Sequence, residues 1–245
     1  MSDLPLVLIG GWGVPVEAVA TVARRWPGRV MTASVHDYAE AHGPEAWVRQ
    51  LLSRAPVSAV WAGWSLGGQL AMLAAQIAPA RVAGVWTVCS SPRFLARPDW
   101  PGMPLEEFAQ FRVGVAANPA RAWKRFLLLQ IRGDEYEAEG RKAWQPWLKK
   151  GPAWPRETLL AGLDWLGDLD RRTAWRDCQV PHSHWFGDQD SLVDSALVRT
   201  GSVANARLAA GMAHWPFGAH ADALAVSLRQ FGRTLEMTGE NLEAP

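Results

Sequence analysis

A chain of 245 residues, 49% apolar and 20% charged, is long enough to bury a sizeable core and too apolar for disorder. Its net charge of +1 excludes the basic field of a nucleic-acid binder, and its two cysteines, Cys89 and Cys178, exclude a disulfide framework or a cysteine-rich metal site. No apolar run approaches the roughly 18 residues of a membrane span, and the start MSDLPLVLIGGWG lacks the basic segment of a signal peptide, so a cytoplasmic location is expected.

In chain order, PLVLIG (5–10) reads as a buried strand closed by Gly10 and Gly11, and residues 15–25 suit a helix. A second strand is expected over 29–35, then a helix over 43–54 with Pro44 in its first turn. A third strand covers 57–64, and Leu66, Leu70, Leu73, Ala74 and Ile77 fall on one face of the helix that follows. A fourth strand covers 81–91. Unbroken apolar strands alternating with helices predict a mostly parallel sheet flanked by helices on both faces. The rhythm breaks over 97–175, which is helical and rich in Trp, Arg and Lys. This segment is expected to form a helical cap inserted between core segments 1–96 and 176–245. A strand at 180–187, a helix near 191–200, a short strand at 203–209 and a helix near 220–236 complete the core, with a frayed tail after Gly239. Fifteen tryptophans against two tyrosines leave two readings open, a wide apolar pocket or a Trp-rich core.

The informative stretch is VWAGWSLGGQLA. Gly63-x-Ser65-x-Gly67, between a strand and an amphipathic helix, is the nucleophile-elbow pattern: small residues two before and two after the serine let the chain turn sharply enough to lift its hydroxyl above the sheet. A serine hydroxyl needs a base, and on such a fold the acid and then the histidine follow later in the chain. Of six histidines, His36 and His42 precede the serine near a loop, and His182 and His184 lie within a strand. His214, in the loop GMAHWPF, is favoured, with His220 close by at the start of the last helix. In WFGDQDSLVD, Asp190 is carried past the strand end, Asp188 is the alternative, and Asp194 belongs to the next helix. Oxyanion donors are expected from the N–H of Leu66 and from GGWG, most simply Trp12.

GWG after the first strand, GWSLGG, TVCSSPRF with WPGM, RFLLLQ, FGDQDSLV and AHWPF span nearly the whole chain, which resembles the α/β-hydrolase family and within it the methyl ester carboxylesterases of biotin synthesis. Gly10 departs from the pattern, since many relatives carry a histidine there. The resemblance implies an α/β-hydrolase fold, the triad Ser65, Asp190 and His214, oxyanion donors Trp12 and Leu66, and no metal or organic cofactor. It also implies hydrolysis of the methyl ester of a pimeloyl chain on an acyl carrier protein, giving free acid and methanol. A pocket of Trp12, Trp64, Trp123 and Phe126 would take the neutral chain. Residues 118–151 hold eight basic side chains against four acidic ones. Arg121, Lys124, Arg125, Arg132, Arg141 and Lys142 would form a rim that steers an acidic carrier protein to the cap. The alternatives are a broad short-chain carboxylesterase without a carrier partner, or a degenerate hydrolase acting as a small-molecule receptor.

Overall fold

The computed structural model describes residues 4–38 and 42–243, and of residues 238–243 the backbone alone. Met1 to Asp3, part of the start read for a leader, and residues 244–245 of the tail lie outside the described residues.

Among the described residues six strands form one sheet, β1 (Leu6–Ile9), β2 (Val30–Ala33), β3 (Ala59–Trp64), β4 (Val82–Val88), β5 (His182–Gly187) and β6 (Ala206–Ala209), in the order β2-β1-β3-β4-β5-β6. Every pairing is parallel. Alternate residues of the central strands feed opposite faces. Val7, Ile9, Ala59 and Trp61 enter one buried cluster, while Leu6, Leu8, Val60, Ala62 and Trp64 enter the other. Helices α1 (Pro44–Arg54) and α2 (Leu66–Ile77) cover the first face, through Trp47, Leu51, Leu70 and Leu73. The last helix, α9 (Ala221–Glu243), covers the second through Leu224 and Leu228 and runs past the expected frayed end at Gly239. Between β4 and β5 lie α3 (Leu105–Ala117), α4 (Pro119–Leu129), α5 (Glu137–Lys150), α6 (Arg156–Asp168) and the short α7 (Arg172–Arg176).

Two expected helices differ. Residues 15–25 form two 3-10 segments, Val16–Ala18 and Ala20–Arg25. The buried valines there, Val16, Val19 and Val22, recur every three residues, which fits three residues per turn better than 3.6. Over 191–200 only α8 (Ala196–Arg199) is helical. The carboxylates of Asp190 and Asp194 accept the backbone N–H groups of Leu192, Val193 and Ala196, and these local turns displace the helix.

The strand order reverses at β1 and β3. In an open parallel sheet, the crevice beyond the carboxyl ends of two such strands is where ligands bind. The loops after β1 and β3 carry the GGWG and GWSLGG stretches.

Candidate active site

Ser65 leaves β3 with φ +56° and ψ −125°, a conformation L-residues rarely adopt, and α2 starts at the next residue. The sequence folds this way because nothing larger than glycine fits around it. A Cβ at Gly63 would overlap the carbonyl of Gly67, and a Cβ at Gly67 would overlap that of Gly10. The loop after β1 therefore lies directly on the elbow, and a Cβ on Gly11 would sit 3.2 Å from that of Ser65.

The structure brings together the three side chains expected to act with one another. Nε2 of His214 lies 3.1 Å from Ser65 Oγ, and Nδ1 lies 2.8 Å and 3.0 Å from the two oxygens of Asp190. A carboxylate can only accept, so Nδ1 carries the proton and Nε2 presents its lone pair to the serine hydroxyl. Asp190 is fixed in turn by the N–H groups of Leu192 and Val193, at 2.8 Å and 3.0 Å. Asp188 instead accepts from Gly211 N–H and joins the acid loop to the histidine loop. His220 stands apart from Ser65 and pairs with Asp134. Leu66 opens α2, so its N–H is one of the first-turn donors without an intrahelical acceptor. The N–H of Trp12 has no protein acceptor among the described residues.

An apolar cavity of about 120 Å³ lies beside Trp12, walled by Phe94, Phe108, Phe111, Phe126 and Leu163. Trp12 and Phe126 line it, and Trp64 and Trp123 do not. Trp64 alternates to the opposite face of β3, where its indole donates to the carbonyl of His214 at 2.8 Å. Trp123 is buried beneath the β1 loop and donates to the carbonyl of Gly13. Most tryptophans are core residues, so the abundance of this residue reports packing more than pocket. Phe111, Phe126 and Leu129 are shared with an open cleft of about 670 Å³ bordered by Arg125, Arg132 and Arg141. Arg121, Lys124 and Lys142 lie outside this cleft, exposed on α4 and α5, and Arg141 is paired with Glu137.

One supporting residue has no signature in its local sequence. His36, buried after β2, accepts the N–H of Gly13 through Nε2 at 3.0 Å. Burial lowers its pKa from 6.5 to about 4, so the ring remains a neutral acceptor. It braces the loop after β1 from the end of β2. With Trp123 on the Gly13 carbonyl and the Trp12 indole donating to Leu159 at 2.8 Å, the loop is held at three points. The signal that could have found His36 is the β1–β2 register: Ile9 pairs with Ala33, which places residues 34–36 beside the loop after β1. Cys89, also at positive φ, is buried with its thiol against the Ala213 carbonyl, and burial together with the Asp190 carboxylate pushes its pKa well up. It is a packed thiol beside the acid.

A parallel sheet with a serine elbow at its switch point, and an acid and a histidine on later loops, is the α/β-hydrolase arrangement. The chain belongs to the alpha/beta hydrolase family, whose model matches residues 6–227. It is 34% identical over 234 residues to a pimeloyl-acyl-carrier-protein methyl ester esterase of Sodalis glossinidius, covering 89% of this chain and 90% of that one. To the enzyme of the same name from Methylococcus capsulatus it is 32% identical over 241 residues, covering 92% and 93%. Among solved structures, a bromoperoxidase from Bacillus anthracis superposes with a TM-score of 0.76 at 18% identity, over 94% of this chain and 91% of that one, a likeness of fold alone. Among the described residues no helix is long and apolar enough to cross a membrane.

Proposed function

We propose that this chain is a serine carboxylesterase that hydrolyses the methyl ester of a pimeloyl chain held on an acyl carrier protein. The observation that carries the reading is the hydrogen-bonded line from Ser65 through His214 to Asp190, beneath a loop that also walls an apolar cavity. The relatives named above bear that activity in their names.

In this reading Ser65 Oγ attacks the ester carbonyl while Nε2 of His214 takes its proton, and Asp190 stabilises the imidazolium. Charge building on the carbonyl oxygen meets the N–H groups of Leu66 and Trp12, each such donor contributing roughly 3–4 kcal/mol in the transition state. The protonated imidazole gives its proton to departing methanol. Water, deprotonated by His214, then opens the acyl-enzyme to free acid and regenerates Ser65. The methylene chain gains about 0.8 kcal/mol per buried carbon in the apolar cavity. A carboxylate would pay heavily to remain there, which favours release of the product. Residues 97–175 act as the cap, and Arg125 and Arg132 at the cleft steer the acidic carrier.

The test compares the purified chain on the carrier-bound methyl ester and on a short free ester. Methanol release from the first is expected, with none from Ser65→Ala. Its kcat/KM should fall with added salt while that for the free ester stays level. Equal salt dependence of the two would remove carrier docking, and turnover of the free ester alone would leave a general esterase.

A further inference from the structure

His214 sits on residues 211–217, a loop that belongs to no helix or strand. A triad tolerates little displacement of its base, so something outside the loop must hold it. The segment joining α4 to α5 does much of this. Gln130 O accepts from Trp215 N–H at 2.9 Å, and Glu135 N–H donates to Gly211 O at 2.9 Å. Asp134 stands between these two links. One of its oxygens accepts the N–H of Ala213, the residue before the histidine, at 2.9 Å. The other accepts from Tyr136 N–H at 2.9 Å and faces Nε2 of His220 at 3.2 Å.

The Asp134 side chain is almost fully buried, and burial alone would raise its pKa. The bonds from His220, Ala213 and Tyr136 outweigh that and hold it below the usual carboxylate range. His220 is raised in turn, first by its bond to Asp134 and against its own burial, with Glu135 adding negative charge nearby. The Tyr136 ring packs edge-on to the imidazole at 5.3 Å.

We propose that Asp134 is a positioning residue for the catalytic base: its carboxylate pins the chain on both sides of His214, directly at Ala213 and through His220, and so sets the reach of Nε2 to Ser65. Asp190 orients the imidazole, and Asp134 places the backbone that carries it. The proposal rests on the reading of His214 as the base, and it ties that base to the segment that follows α4, whose Phe126 and Leu129 wall the apolar cavity.

The test uses the full chain and a short free ester that does not reach α5. Asp134→Ala should lower kcat about tenfold with KM within about twofold. Asp134→Asn, which keeps an oxygen for Ala213 N–H, should recover to within about threefold of the parent. The downfield Nδ1–H proton of His214 in the NMR spectrum should broaden or shift in Asp134→Ala and hold its place in Asp134→Asn. That resonance reads the loop whether or not the protein hydrolyses esters, so failure of this proposal is separable from failure of the functional reading. A kcat within twofold of the parent in Asp134→Ala, or an unmoved His214 resonance, overturns it. Should Asp134→Ala not fold, His220→Gln carries the test: a two- to threefold fall in kcat with a shifted His214 resonance supports the clasp, and no change in either overturns it.

Discussion

The proposed nucleophile and the proposed base of this site are built in opposite ways. Ser65 is placed by its immediate neighbours. Two glycines within two residues and a strand-to-helix turn fix it, and the sheet beneath is buried on both faces. His214 is placed by residues far off in the chain: Asp190, 24 positions back, Asp134, 79 back from Ala213, and Trp64, whose indole reaches its carbonyl from 150 residues away. One half of the site is local and stiff. The other half is a loop that depends on several separate elements arriving together. Substitutions on the serine side should therefore act all at once, and those on the histidine side by degrees.

The largest effect expected is at the hydroxyl itself. Ser65→Ala should lower kcat by roughly 10⁴–10⁶-fold with the melting temperature unmoved or raised, since it removes the proposed nucleophile and leaves the packing intact. Retained turnover of a short ester would break the serine side of the comparison. Next is Gly67→Ala. The added Cβ would meet the Gly10 carbonyl, and backbone atoms on a buried sheet edge cannot step aside. A loss of about 3 kcal/mol in urea unfolding is expected, with activity below detection, or no folded protein. A stable, active Gly67→Ala would show that the elbow is looser than its geometry implies.

His36 sharpens the comparison, because it brings one distant contact to the stiff half. His36→Leu strands a buried Gly13 N–H, at a cost of about 1–3 kcal/mol. If that strain falls on the Trp12 donor, kcat should drop about ten- to a hundredfold with KM little changed, and His36→Gln should recover part of it. Loss of stability without loss of kcat would make His36 a packing residue only.

What was legible in the sequence follows the same division. The elbow, the parallel sheet and the loop positions of Asp190 and His214 depend on spacing within a few residues and on strand alternation, and they could be read. The support from His36 depends on β1–β2 register and that from Asp134 on how α4 and α5 return to the sheet, neither of which has a local signature. The composition showed many tryptophans but not which face each would take. Trp64, on the same face as Val60 and Ala62, could have been assigned to the core by strand alternation alone. Residues 15–25 form 3-10 rather than α-helical turns because their buried valines recur every three positions, a period close enough to 3.6 that composition alone does not separate the two.

The smallest effect expected separates the two halves by pH. His36 supports the serine side, and His184, buried beside Thr87, is part of β5, the strand that delivers Asp190. Burial lowers the first to about 4 and the second, with help from nearby His182, to about 3, against 6.5 for an unperturbed imidazole. On acidification the unfolded chain takes up these protons first. Their contribution to stability is therefore complete above about pH 6.5 and is lost as the pH falls toward 4. Each should add about 1.4 kcal/mol per pH unit to the slope of unfolding free energy between about pH 5.5 and 4.5. His184→Leu should remove one such increment and leave turnover of a short ester near the parent value, because its ring touches Thr87 and Trp175 and stands away from the triad. His36→Leu should remove the same increment and lower kcat as well. Urea titrations at half-unit pH intervals would measure both slopes. If neither variant flattens the profile, the two imidazoles take up protons in the folded chain over the same range as in the unfolded one, and burial does not hold His36 as a neutral acceptor for Gly13 once the pH falls below about 6.5.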